Sequence, residues 1–110
     1  MAAELRLARQ AALRDRLAAQ GLDTVVVQSL PNIRYLTGFT GSSALLLLRA
    51  GDAVLVTDFR YAAQAPREAG NAARVEIDQV NVWDRLKRVL AEQSGGTAGF
   101  EAHIATVRER

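Results

Sequence analysis

The chain has 110 residues, 49% of them apolar and 24% charged, which is the balance of one globular domain and not of a disordered tail. It has no cysteine and one histidine, so disulfides, thiolate metal sites, Cys nucleophiles and a two-His relay are excluded within it. The net charge of only +2 argues against nucleic acid as a partner. The longest apolar run, Ala44 to Leu48, falls far short of the ~20 residues of a membrane span.

Residues 3–20, rich in Ala, Leu and Arg, read as a surface helix docked by Leu13 and Leu17, with Gly21 ending it and Leu22 packing back. The charges spread through this segment mean that it is not a signal peptide. Asp23 opens a strand, Thr24 to Val27, whose β-branched run suggests burial on both faces. A turn at Ser29 to Asn32 leads into a short helix from Asn32 to Leu36, and Gly38 to Ser43 form a loop of small residues. Strands follow at 44–49 and 53–57, joined through Ala50-Gly51-Asp52 as a hairpin. Asp58 reads as the N-cap of a helix reaching about Ala69, which Pro66 should kink or shorten. A fourth strand spans 73–77. Asn81 then caps an amphipathic helix that places Val82, Trp83, Leu86, Val89, Leu90 and Gln93 on one side, and Gly95-Gly96 end it. Thr97 to Phe100 make a fifth strand, and another helix begins near Ala105. The order implies an α/β domain with a mixed five-stranded sheet and helices on its faces, the succession seen in ribonuclease-H-like domains.

Little in this pattern can do chemistry alone. Gly38-Phe39-Thr40-Gly41 lacks the Lys of a phosphate-binding loop and precedes a strand where a helix is required. Asp58 and Glu101 stand at strand ends, but two-metal nuclease chemistry needs a fuller acid set. Ser42 and Ser43 lack the surroundings of a nucleophile elbow that would pair them with His103. Arg60 is more informative. It follows a buried strand, between Phe59 and Tyr61, where α/β folds open their binding crevices. Its guanidinium can take a carboxylate or a carbonyl, or pair with a local acid such as Asp58.

Four segments, in order, resemble one family. They are Gly21-Leu22-Asp23, then Pro31-Asn32-Ile33-Arg34-Tyr35-Leu36-Thr37-Gly38-Phe39-Thr40-Gly41-Ser42-Ser43, then Thr57-Asp58-Phe59-Arg60-Tyr61-Ala62-Ala63-Gln64-Ala65, and Gly99-Phe100-Glu101. Together they resemble the N-terminal domain of the creatinase/prolidase/Xaa-Pro aminopeptidase family, most closely its bacterial Xaa-Pro aminopeptidase or dipeptidase branch. The resemblance spans about residues 9–105 and implies a ribonuclease-H-like fold over the whole chain, which reads slightly short for that domain.

In such proteins a separate C-terminal pita-bread domain holds two divalent metal ions, often manganese, and cleaves the bond before proline. The absence of cysteine fits a cytoplasmic chain, and the resemblance implies one that is catalytically silent alone, with no metal or cofactor of its own. Its expected partners are the catalytic domain, further copies of itself in an oligomer, and a peptide with proline in second position; no nucleic acid and no membrane is expected. By position, Arg60 and Phe39 are the implied substrate-side residues, whereas Tyr35 and Asp58 read as a core aromatic and a helix cap. The alternatives are a free-standing interaction domain of the same fold and a ribonuclease-H-like nuclease.

Overall fold

The computed structural model describes residues 2–22, 24–78, 81–91 and 98–100. Asp23, Gln93, the Gly95-Gly96 pair, Glu101, His103 and the helix expected near Ala105 lie outside them. Helix α1 runs from Ala2 to Ala19, strand β1 from Thr24 to Val27, helix α2 from Leu30 to Thr37, and the hairpin strands β2 and β3 from Ala44 to Arg49 and Ala53 to Asp58. A 3-10 turn at Phe59–Tyr61 precedes α3 (Gln64–Ala69), β4 (Arg74–Asp78), α4 (Val82–Ala91) and β5 (Ala98–Phe100).

The sheet is mixed. Its order is β4-β3-β2-β1-β5, with β1, β2 and β3 antiparallel in succession. The edges, β4 against β3 and the three-residue β5 against β1, are parallel. The registers Val27↔Leu46 and Leu46↔Leu55 align one row of side chains, and Val26↔Leu47 and Leu47↔Val54 align the next. Because successive strand residues point to opposite faces, these rows sort into two cores. Val25, Val27, Leu46, Leu48 and Leu55 face the cluster that includes Leu13 and Leu17 of α1, Ile33 and Leu36 of α2, and Ala65 and Ala69 of α3. Val26, Leu45, Leu47, Val54 and Val56 face the other way, against Val82 and Val89 of α4. Burial on both faces accounts for the near-continuous apolar runs of β1 to β3.

The helix ends follow local chemistry. Gly21 sits at φ 77°. The Leu22 N–H reaches Leu17 O at 2.8 Å and the Gly21 N–H reaches Ala18 O at 3.0 Å, the paired bonds of a Schellman ending. Helix α2 starts two residues before the expected Asn32, because Ser29 accepts from the Asn32 N–H and Pro31 fits the first turn. Asn81 Oδ1 accepts from the Trp83 N–H at 2.9 Å and caps α4.

The single helix expected from Asp58 to about Ala69 is instead two pieces. Asp58 does cap, accepting from the Arg60 N–H, but it caps only the 3-10 turn. Pro66 has no N–H and is tolerated only in a first turn, so α3 begins anew at Gln64. Among the described residues no helix is long and apolar enough to cross a membrane.

One buried polar residue ties the helical layer together. Gln10 of α1 is 1% exposed, and its Nε2 donates to Leu36 O and to Ala72 O, both at 2.9 Å. It thereby satisfies a terminal carbonyl of α2 and a carbonyl in the α3–β4 connection.

Candidate functional site

The loop 38–43 leaves α2 and enters β2, and the segment 58–68 leaves β3 beside it. Gly38 ends α2 in the left-handed region at φ 85°. Phe39 then turns inward. Its ring is 1% exposed and meets the Tyr61 ring edge-on at 5.3 Å, within the range of attractive aromatic pairs. Gly41 passes directly over this pair. A Cβ there would lie 2.2 Å from Phe39 Cζ and 2.9 Å from Tyr61 Cε1, so only glycine lets the loop lie down.

Polar bonds then fasten the loop along its length. The Thr40 N–H donates to Glu68 Oε1 at 2.9 Å, and the Thr40 hydroxyl donates to Oε2 at 2.9 Å. Gln64 donates to the Thr40 hydroxyl and to Glu68 Oε1, each at 3.1 Å. The Ser42 N–H donates to the Tyr61 hydroxyl at 3.0 Å, and the Ser42 hydroxyl lies 2.6 Å from the same oxygen. At the loop's far end the Thr57 hydroxyl donates to Ser43 O.

These contacts set the ionisation of the site. Partial burial pushes the Glu68 carboxyl up, but the donors of Thr40 and Gln64 and the charge of Arg67 hold it below its ordinary range. The Ser42 donors likewise lower Tyr61.

Arg60 stands at the outer edge of this assembly. Its Nε and Nη2 donate to Asp58 Oδ1 at 2.9 Å and Oδ2 at 2.8 Å. The Arg60 bond holds Asp58 below its ordinary value, and Asp58 in turn raises Arg60. The guanidinium lies 5.3 Å from the Tyr61 ring centre and its side chain is 57% exposed. Arg60 is paired with Asp58, as a local ion pair, and its remaining donors face solvent. Phe59 beside it is 59% exposed, a large apolar surface next to an oriented cation.

Of the two substrate-side candidates, Arg60 is presented and Phe39 is sunk in the core, where its ring supports Gly41 and Tyr61 from beneath. Tyr35, read as a core aromatic, is 49% exposed. It fails to reach the core because α2 buries only Asn32, Ile33, Leu36 and Thr37. The sequence alone assigns no role to Thr40, Gln64 or Glu68. Gln64 and Glu68 lie four apart on α3, one helical turn, and that spacing was the signal for a shared face. Among the described residues no three His, Asp or Glu side chains gather to hold a metal ion.

Comparison with known proteins places the fold in a family. A profile of the Creatinase/Prolidase N-terminal domain matches residues 9–109. The chain is 33% identical to the uncharacterized peptidase YqhT of Bacillus subtilis (strain 168), aligning 86% of its own length with 29% of that protein. It is 40% identical to the N-terminal domain of the cytoplasmic peptidase PepQ from Mycobacterium tuberculosis H37Rv, with a TM-score of 0.75 over 88% of this chain and 75% of that one. The Xaa-Pro dipeptidase from Bacillus anthracis superposes with a TM-score of 0.75 at 25% identity, over 91% of this chain and 27% of that one. The chain thus spans less than a third of YqhT and of the dipeptidase. With this sheet, this loop and a match over nearly its whole length, the chain belongs to the creatinase/prolidase N-terminal domain family.

Proposed function

We propose that this chain is the non-catalytic N-terminal part of a metal-dependent, cytoplasmic Xaa-Pro peptidase. In this reading a separate catalytic domain holds two divalent metal ions and cleaves the bond before proline. The present domain contributes to assembly into an oligomer and walls the path by which peptide reaches that site. Arg60 is the residue that meets the peptide, through a carbonyl or carboxylate oxygen. Phe39 acts from below by holding the loop in place.

The observation that supports this reading best is the presentation of Arg60. Its guanidinium is exposed at the end of β3, oriented by Asp58 and flanked by the exposed Phe59. A fork held in one orientation loses little freedom on binding a planar oxygen pair.

The test uses the full-length peptidase that carries this domain. Arg60→Ala is expected to lower kcat/KM for an Xaa-Pro peptide about tenfold or more, mostly through KM, with bound metal and thermal midpoint unchanged. Unaltered kinetics would remove Arg60 from the substrate path. The 110-residue chain incubated with manganese is expected to leave the same peptide intact. Turnover abolished by a chelator would overturn the assignment of catalysis to another domain.

A further inference from the structure

On the side where α1 crosses α2, an open cleft of about 460 Å³ is lined by Arg6, Arg9, Arg34, Tyr35, Gly38 and Thr40. Among the described residues its charge is of one sign, since its lining includes three guanidiniums and no carboxylate. Two of these cations are held in place by backbone. Arg9 Nη1 donates to Tyr35 O at 2.9 Å, and its guanidinium lies 4.2 Å over the Tyr35 ring centre. Arg6 Nη1 donates to Glu68 O at 3.2 Å, and its guanidinium packs over Gly38, where a Cβ would meet it at 2.2 Å. Arg34 is exposed on the last turn of α2, and its guanidinium makes no hydrogen bond or ion pair among the described residues. The Glu68 carboxylate, bonded to the cleft-lining Thr40, is occupied by Thr40 and Gln64.

We propose that this cleft is a binding site for a small molecule bearing phosphate groups. A guanidinium has five donors in a rigid fork that matches two phosphate oxygens at once. Arg6 and Arg9 each commit a single bond to protein carbonyls and keep the rest of the fork for a ligand. Three like charges around one cleft repel one another until an anion enters, so binding also relieves an existing cost. The volume lies within the range of small-molecule sites and exceeds what a lone phosphate needs. The exposed Tyr35 ring beside the cations offers an apolar wall for the remainder of the molecule.

The experiment is a titration of the 110-residue chain with inorganic pyrophosphate, followed by the ¹H–¹⁵N signals of the arginine Nε–H groups. Saturable shifts of Arg6, Arg9 and Arg34 with a Kd below about 1 mM are expected at low salt, weakening as salt rises. Arg34→Ala should weaken binding about tenfold or more while leaving the backbone amide spectrum intact. Arg88→Ala, on α4 across the sheet, should leave the Kd unchanged. Shifts that never saturate, shifts spread equally over all arginines, or equal losses in both variants would overturn the proposal. So would tighter binding at these arginines by a short poly-Glu peptide, which would make the cleft a docking site for acidic polypeptide.

Discussion

The centre of the sheet and its rim at the 38–43 loop are built on opposite principles. From Val25 to Val27 and from Leu45 to Leu48 the chain is held by apolar side chains buried on both faces. At the rim, residues 40 to 43 are held by hydrogen bonds to Glu68, Gln64, Tyr61 and Thr57. The first kind of cohesion is non-directional and indifferent to protons. The second is directional and depends on charge. The consequence is a domain whose scaffold and whose exposed loop can be perturbed separately.

Leu46→Ala should break the comparison from the scaffold side and with the largest effect. Leu46 is fully buried on the central strand β2, between Val27 and Leu55. The loss is expected at about 2–5 kcal/mol, read as a lower urea midpoint with an unchanged m-value. Gln10→Ala should come next, at about 1–3 kcal/mol, because it removes the donor of two buried bonds. It sharpens the contrast, since a polar bond inside the helical layer should then cost nearly as much as an apolar cavity. Gly41→Ala ought to cost less, near the low end of about 1–3 kcal/mol, because a surface loop can shift away from the new Cβ. Its signature is local: the Phe39 and Tyr61 ring signals should move while the Leu47 and Val54 amides do not. If the amides of β2 and β3 moved as much, rim and scaffold would not be separable.

The same division explains what could be read from the chain alone. The hairpin strands and β1 announced themselves because double-sided burial leaves long apolar runs, and β2 runs over the expected 44–49. The caps at Asp58 and Asn81 were legible because an acceptor side chain before a helix has few other uses. The length of the segment after Asp58 was less so, since Asp58 caps whichever kind of turn follows it. Only the position of Pro66 relative to Gln64 fixes where α3 starts. Gln10 went unread although it shares a face with Leu13 and Leu17 at helical spacing. A glutamine in that stripe looks like a surface residue until the two carbonyls it serves, Leu36 O and Ala72 O, are brought to it from distant parts of the chain. Apart from the one-turn spacing of Gln64 and Glu68, the loop network was illegible for the same reason. Thr40, Ser42, Tyr61 and Glu68 are ordinary residues whose meaning comes only from being placed together.

The smallest effect expected is also the most selective for the rim, and it comes from pH. The Glu68 carboxyl sits below its ordinary value of 4.5 because Thr40 and Gln64 donate to its ionised form. A carboxyl lowered by folding contributes stability above its unfolded pKa, and that contribution is lost as pH falls through the lower, folded value. Going from about pH 7 to about pH 3, the Thr40 amide signal should therefore titrate with the Glu68 carboxyl, with a midpoint below 4.5, as its acceptor is protonated. Amides of the sheet centre should stay in place through the same range, since they pair with the backbone of neighbouring strands. In Glu68→Gln the Thr40 titration should vanish while the sheet signals persist, which assigns the transition to this one contact. A Thr40 midpoint at or above 4.5, or a sheet that moves in step with it, would mean that the loop is not fastened independently of the scaffold beneath it.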